Sequence, residues 1–153
     1  MNTSLQELYQ RLILEHNRSP HNHGPLPAAT HSAQLHNALC GDRVTLRLQV
    51  LDDRIAEARF EGDGCALSRA AASLLTDRVR GHSVPEARQL AGDLGRFLGK
   101  DEAQREELRE QLGELVALEG VREFPSRLRC ATLPAEALTQ ALAQAPQQKE
   151  GAK

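Results

Sequence analysis

Residues 43–61 read RVTLRLQVLDDRIAEARFE, and this stretch decides the fold. Val44, Leu46, Leu48 and Val50 alternate with Arg43, Thr45, Arg47 and Gln49. That is the period of two expected of a strand with one buried face. Leu51-Asp52-Asp53-Arg54 is a polar turn, and Ile55, Ala58 and Phe60 make a shorter, less regular second arm over 54–61. The reading is an antiparallel hairpin. A weaker alternation at 33–35 supplies a third strand of a small sheet.

Outward from the hairpin the period becomes helical. After Gly62-Asp63-Gly64-Cys65, the residues Leu67, Ala70, Ala71, Leu74, Leu75 and Val79 form one stripe that stops at Gly81, which places Cys65 at a loop-to-helix junction. Ser83 and Glu86, with Pro85 in the first turn, signal the start of another helix whose Leu90, Leu94 and Phe97 point inward. The charged segment 101–118 reads as a further helix. Thr132 reads as the cap of a last one beginning near Leu133-Pro134. At the other end, Leu5, Leu8, Tyr9, Leu12 and Ile13 predict a helix over about residues 5–16, with Ser4 and Glu7 at capping-box spacing. A Pro- and His-rich connector, 20–27, joins it to the sheet.

Strands followed by a run of helices predict an α+β fold, a three-stranded antiparallel sheet with helices packed largely on one face. The length of 153 residues, 40% of them hydrophobic and 26% charged, suits one domain over residues 1–145 followed by a flexible polar tail, 146–153.

Composition excludes several classes of function. Nineteen basic against 21 acidic residues leave a formal charge of −2, so there is no basic field for nucleic acid. With no tryptophan, one tyrosine and three phenylalanines, aromatic platforms for base stacking are lacking. No apolar run approaches the ~20 residues a membrane helix needs, and the N-terminus has no signal-like pattern. The expected location is the cytoplasm. No glycine-rich loop leads into Lys-Ser or Lys-Thr, so nucleotide hydrolysis has no support.

Three cysteines are too few, and odd in number, for a disulfide framework, and turn attention to metal or thiol chemistry. Cys40 precedes Gly41-Asp42, Cys65 follows Gly62-Asp63-Gly64, and Cys130 follows Arg129. If the three meet, three thiolates and Asp42 fill the tetrahedral shell zinc prefers. Their charge exceeds that of the ion, which keeps the sulfurs nucleophilic. Twenty-four residues separate Cys40 from Cys65 and 64 separate Cys65 from Cys130. These spacings match no zinc-finger pattern, so buried apolar thiols are the competing reading. His16, His21 and His23 near the connector, and His31 and His36 before Cys40, are irregularly spaced and are read as solvated surface residues outside the metal site. Arg127 and Arg129 flank Cys130 and suit a docking role toward an acidic partner surface.

The local sequences add a resemblance. Leu8-Tyr9 through His16 and Ser19-Pro20 to Gly24, Asn37-Ala38-Leu39-Cys40-Gly41-Asp42, Gly62-Asp63-Gly64-Cys65-Ala66-Leu67-Ser68, and Phe124-Pro125-Ser126-Arg127-Leu128-Arg129-Cys130-Ala131-Thr132-Leu133 together resemble the U-type iron–sulfur cluster assembly proteins over nearly the whole chain. Two features look like the SUF-type branch rather than the scaffold branch. One is the long interval between Cys65 and Cys130. The other is Arg129, where the scaffold branch carries a histidine.

The resemblance implies a zinc-dependent sulfur carrier that accepts persulfide sulfur from a pyridoxal-phosphate cysteine desulfurase and serves the iron–sulfur assembly machinery. Cys40, Asp42, Cys65 and Cys130 would be the metal ligands. Cys40 would be the catalytic thiol, leaving the metal when a partner histidine replaces it. Whether such an acceptor counts as an enzyme stays open. The alternatives are a scaffold holding a [2Fe–2S] cluster or iron, and a purely structural zinc module. Ala38 and Ala135 depart from the family pattern of a proline and a large aromatic, and neither is a proposed ligand.

Overall fold

The alternation along residues 43–50 builds the middle strand. In the computed structural model, which describes residues 2–39, 41–99 and 104–144, β1 (His31–Asn37), β2 (Asp42–Leu51) and β3 (Arg54–Glu61) form an antiparallel sheet in the order β1-β2-β3. Val44, Leu46 and Leu48 are buried on one face, while Arg43 is exposed and Thr45, Arg47 and Gln49 are partly so on the other. Leu46 stands opposite Ala33 on one side and Phe60 on the other. Asp52 and Asp53 both have positive φ, 53° and 64°, as the two-residue turn matching sheet twist requires.

The irregular second arm has a physical cause. Gln49 pairs with Glu57 but Val50 pairs with Ile55, so β3 holds one extra residue there. That bulge returns Ile55, Ala58 and Phe60 to one face although their spacing in sequence is uneven.

Among the described residues five α-helices accompany the sheet: α1 (Asn2–Arg18), α2 (Ala66–Val79), α3 (Val84–Leu98), α4 (Arg105–Leu112) and α5 (Leu128–Ala143). α5 lies against β1 and β2 on the apolar face and also touches α2 and α3. Ala131, Leu133, Ala137, Leu138 and Ala141 on α5 are all fully enclosed. Truncating Leu133 or Leu138 to alanine would cost roughly 2–5 kcal/mol by the general rule for buried leucines.

The expected α+β architecture is present, with differences in detail. α1 begins at Asn2, upstream of Ser4, and only its second half is well packed. Leu5 and Leu8 are 45% and 54% exposed, whereas Leu12 and Ile13 rest against the core. The capping box of α3 forms as read: Ser83 Oγ accepts the Glu86 N–H and the Glu86 carboxylate accepts the Ser83 N–H. The charged stretch is not one helix. Gly113, at φ 59°, ends α4, and a 3-10 segment, Gly113–Glu123, follows. The part of the stretch at 101–103 lies outside the described residues, as do residues 145–153, on which the tail reading falls.

α4 is fastened by charge. Arg105 and Arg109 both donate to Glu119, and both guanidinium groups lie over the Phe97 ring, 4.8 and 5.4 Å from its centre. The last helix starts five residues earlier than Thr132-Leu133 indicates, with Pro134 inside it. Thr132 does not cap it; its hydroxyl donates to Glu136. Among the described residues no helix is long and apolar enough to cross a membrane.

Candidate metal and thiol site

Asp42 opens β2, and a sharp bend after β3 brings Cys65 to it. Arg43 N–H donates to the Asp63 carbonyl at 2.7 Å, so the loop after β3 stays bound to β2. Gly62 sits at φ 151°, and a Cβ there would lie 2.0 Å from the Arg43 carbonyl oxygen. Only glycine fits that crossing. The chain then delivers Cys65 as the residue preceding α2, where its N–H donates to Asp42 Oδ1 at 2.8 Å. Its Sγ lies 3.7 Å from Asp42 Oδ2.

Cys130 arrives from far along the chain, in the first turn of α5. One donor atom from each of Asp42, Cys65 and Cys130 lies within 4.8 Å of the other two. Asp42 and Cys130 are fully buried and Cys65 partly so. Cys65 thus stands at the start of α2 and Cys130 in the first turn of α5. Two thiols and a carboxylate in this arrangement fit a borderline-soft divalent ion such as zinc. Pro134 has no N–H to donate to the carbonyl of Cys130, four residues before it.

Arg127 closes a short 3-10 turn, Pro125–Arg127, directly before α5. Hydrogen bonding to Cys65, and then to Cys130, raises its guanidinium above the ordinary arginine value. A fixed positive charge thus faces both sulfurs. Arg129 is placed differently: it pairs with Glu136 at 3.2 Å, about two helical turns along α5. Cys40, the remaining ligand read from sequence, lies outside the described residues. Its neighbours Leu39 and Gly41 belong to the loop between β1 and β2, and the Leu39 side chain is 94% exposed.

The histidine reading is corrected at two positions. His16 is 3% and His31 7% exposed, so neither is a solvated surface residue. His16 lies three and four residues after Ile13 and Leu12, on the inward stripe of α1, a periodicity that marks it as buried. His16, His21 and Asp77 form a second convergence of donor atoms. Asp77 lies near the end of α2, with nothing in its local sequence to single it out.

Comparison with known proteins agrees with this geometry. Residues 8–150 match the family described as NifU-like N terminal domain. The iron-sulfur cluster assembly scaffold protein IscU of Streptococcus pyogenes is 36% identical over 140 residues, covering 92% of this chain and 86% of that protein. The zinc-dependent sulfurtransferase SufU of Bacillus subtilis is 34% identical over 144 residues, covering 93% and 94%. A crystal structure from Fervidobacterium islandicum, described as a scaffold candidate of the SUF system, superposes with a TM-score of 0.79 at 28% identity, covering 90% of this chain and 98% of that one. With a family match spanning most of its length and relatives at 34% and 36% identity over nearly the whole chain, the chain belongs to the NifU-like N-terminal domain family and is a homologue of IscU and SufU.

Proposed function

We propose that this protein is a zinc-dependent sulfur carrier that accepts persulfide sulfur from a cysteine desulfurase during iron–sulfur cluster assembly. The observation that carries the reading is the meeting of Asp42, Cys65 and Cys130 donor atoms beneath the Arg127 guanidinium. The likeness to a relative named as a zinc-dependent sulfurtransferase supports it. So does the arginine at 129, which leaves no imidazole immediately before Cys130.

Cys40 is proposed as the acceptor, with Asp42, Cys65 and Cys130 as the remaining donors. Zinc, when bound, holds the thiols deprotonated at neutral pH. The Cys40 thiolate attacks the terminal sulfur of the desulfurase persulfide. One S–S bond breaks, a new one forms on Cys40, and the desulfurase cysteine leaves as a thiolate, so no net oxidation occurs. Arg127 offsets the excess negative charge of the sulfur-rich donor set. It is also the proposed docking residue, together with Arg129 on the exposed side of α5.

The second reading is a scaffold that holds a [2Fe–2S] cluster, favoured by the likeness to relatives named as IscU scaffolds. Elemental analysis and visible absorption of the purified protein, followed by desulfurase turnover with wild type and Cys40→Ala, separate the two. Zinc without colour, and stimulation of turnover that disappears in Cys40→Ala, is the expected result. Iron with inorganic sulfide and charge-transfer bands establishes the scaffold instead. Zinc with no stimulation by the wild type leaves only a structural module.

A further inference from the structure

At the other end of α2 from Cys65, three elements bring imidazoles and a carboxylate together. His16 comes from the last turns of α1, His21 from the connector and Asp77 from α2. One donor atom from each lies within 4.8 Å of the other two, and the two imidazole rings are 4.4 Å apart. Asp77 comes twelve positions after Cys65 along the helix, about 18 Å at the usual rise. One ion cannot span both groups.

We propose that His16, His21 and Asp77 form a transition-metal site separate from the cysteine site, taking Zn2+ or a like divalent ion through two imidazole nitrogens and one carboxylate oxygen. Water completes the shell on the exposed side. Two histidines and a carboxylate with open positions are a donor set that first-row divalent ions accept.

The surroundings hold the donors as metal sites hold theirs. Asn22 Nδ2 donates to Asp77 Oδ1 at 2.9 Å, which leaves Oδ2 for an ion. Ser73 Oγ lies 2.6 Å from His16 Nδ1 and accepts the His21 N–H at 2.7 Å, so one hydroxyl fixes both histidines. The His16 ring nitrogen not engaged by Ser73 is the one proposed to bind. The connector is itself anchored: Asn22 takes a left-handed conformation, φ 61°, and its carbonyl accepts the Phe60 N–H at 3.0 Å.

The chemistry of the donors agrees. Burial, and then the neighbouring His21, lower the pKa of His16, keeping its ring neutral and its lone pair available near pH 7. His21 Nδ1 and Asp77 Oδ2 share a hydrogen bond of 2.5 Å, and the ion takes the place of that proton. Glu15 and Glu114 add negative potential around His16. Arg80, on the same stretch of chain as Asp77, is engaged by Asn22 Oδ1 at 3.0 Å and by Glu57.

Cobalt(II) titration of the zinc-loaded full-length protein tests the proposal. The expected result is a saturable additional equivalent with visible d–d bands and no sulfur-to-metal charge transfer. His21→Ala and Asp77→Asn, both at exposed positions, are expected to lose that equivalent while keeping the wild-type circular dichroism. Asn22→Ala is expected to weaken it by roughly 10–100-fold, and His23→Ala, whose ring rests on Phe60, to leave it unchanged. No additional equivalent, cobalt bound only with sulfur charge transfer, or undiminished binding by both His21→Ala and Asp77→Asn would overturn the proposal.

Discussion

Asp42 Oδ1 accepts the backbone N–H of Cys65 at 2.8 Å while Oδ2 lies beside the Cys65 sulfur. One buried carboxylate therefore both shapes the start of α2 and offers a donor atom to the site. Asp42→Asn keeps an acceptor for the N–H but loses the charge, whereas Asp42→Ala loses both. In metal-free protein the alanine variant is expected to be less stable than the asparagine variant by about 1–3 kcal/mol, the general cost of stranding a buried donor. Both are expected to release zinc to a chelator more readily than wild type. Urea unfolding and chelator competition measure the two effects separately, and equal metal-free stabilities would contradict the capping role.

Gly62→Ala puts a methyl group into the Arg43 carbonyl. The backbone of β2 or of the loop must shift, and the expected loss is about 2 kcal/mol or more. Gly24→Ala provides the comparison: its φ is also positive, at 135°, but nothing lies within 4 Å of the added carbon. Denaturant midpoints for the two variants isolate the steric collision from the conformational strain. A Gly62 variant no less stable than the Gly24 variant would refute the close crossing.

Glu119 lies between Arg105 and Arg109. Burial by itself favours its protonated form, but the hydrogen bonds from Arg109 and Arg105 outweigh this and lower its pKa. A carboxylate with a depressed folded-state pKa contributes stability that is present above about pH 4.5 and lost as the pH falls through the folded value. Glu119→Gln is expected to loosen α4, seen as faster amide hydrogen exchange over residues 105–112, and to reduce the acid dependence of unfolding. Unchanged exchange there would show that the apolar contacts of Leu108 and Leu112 alone hold the helix.

His31 titrates in a different window. Burial lowers its pKa, so the folded state binds the proton less readily than the unfolded chain. Its contribution is intact above about pH 6.5 and declines as the pH falls from there through the depressed folded value. His31→Val, with a strand-forming side chain at the first position of β1, is expected to flatten the slope of the urea midpoint between about pH 7 and about pH 5. At matched zinc loading, identical slopes for wild type and variant would rule out His31 as the titrating group.

Local chemistry made much of the fold legible. The alternation through Val44, Leu46 and Leu48 found the central strand, Ser83 and Glu86 found a capped helix, and the glycine bend before Cys65 found a loop-to-helix junction. What stayed illegible depended on partners remote in sequence. Pro134 reads as a helix start, yet the packed face from Ala131 to Leu142 carries the helix through it, with tertiary burial overriding local preference. Gly113 ends a helix that the charge pattern alone would continue. The convergence of Asp42 and Cys65 with Cys130 rests on α5 crossing the sheet, which no spacing encodes, and the burial of His16 was visible only in its position on the α1 stripe.

The order of elements has a consequence for biosynthesis. α5 fills the middle of the core, yet among the described residues it follows every other element along the chain. While the polypeptide emerges from the ribosome, the apolar face of the sheet lacks its covering helix, and Asp42 and Cys65 wait for a third donor that is translated last. Nascent chains halted before residue 128 would expose that face to chaperones, and the donor set of Asp42, Cys65 and Cys130 becomes complete only after α5 has docked.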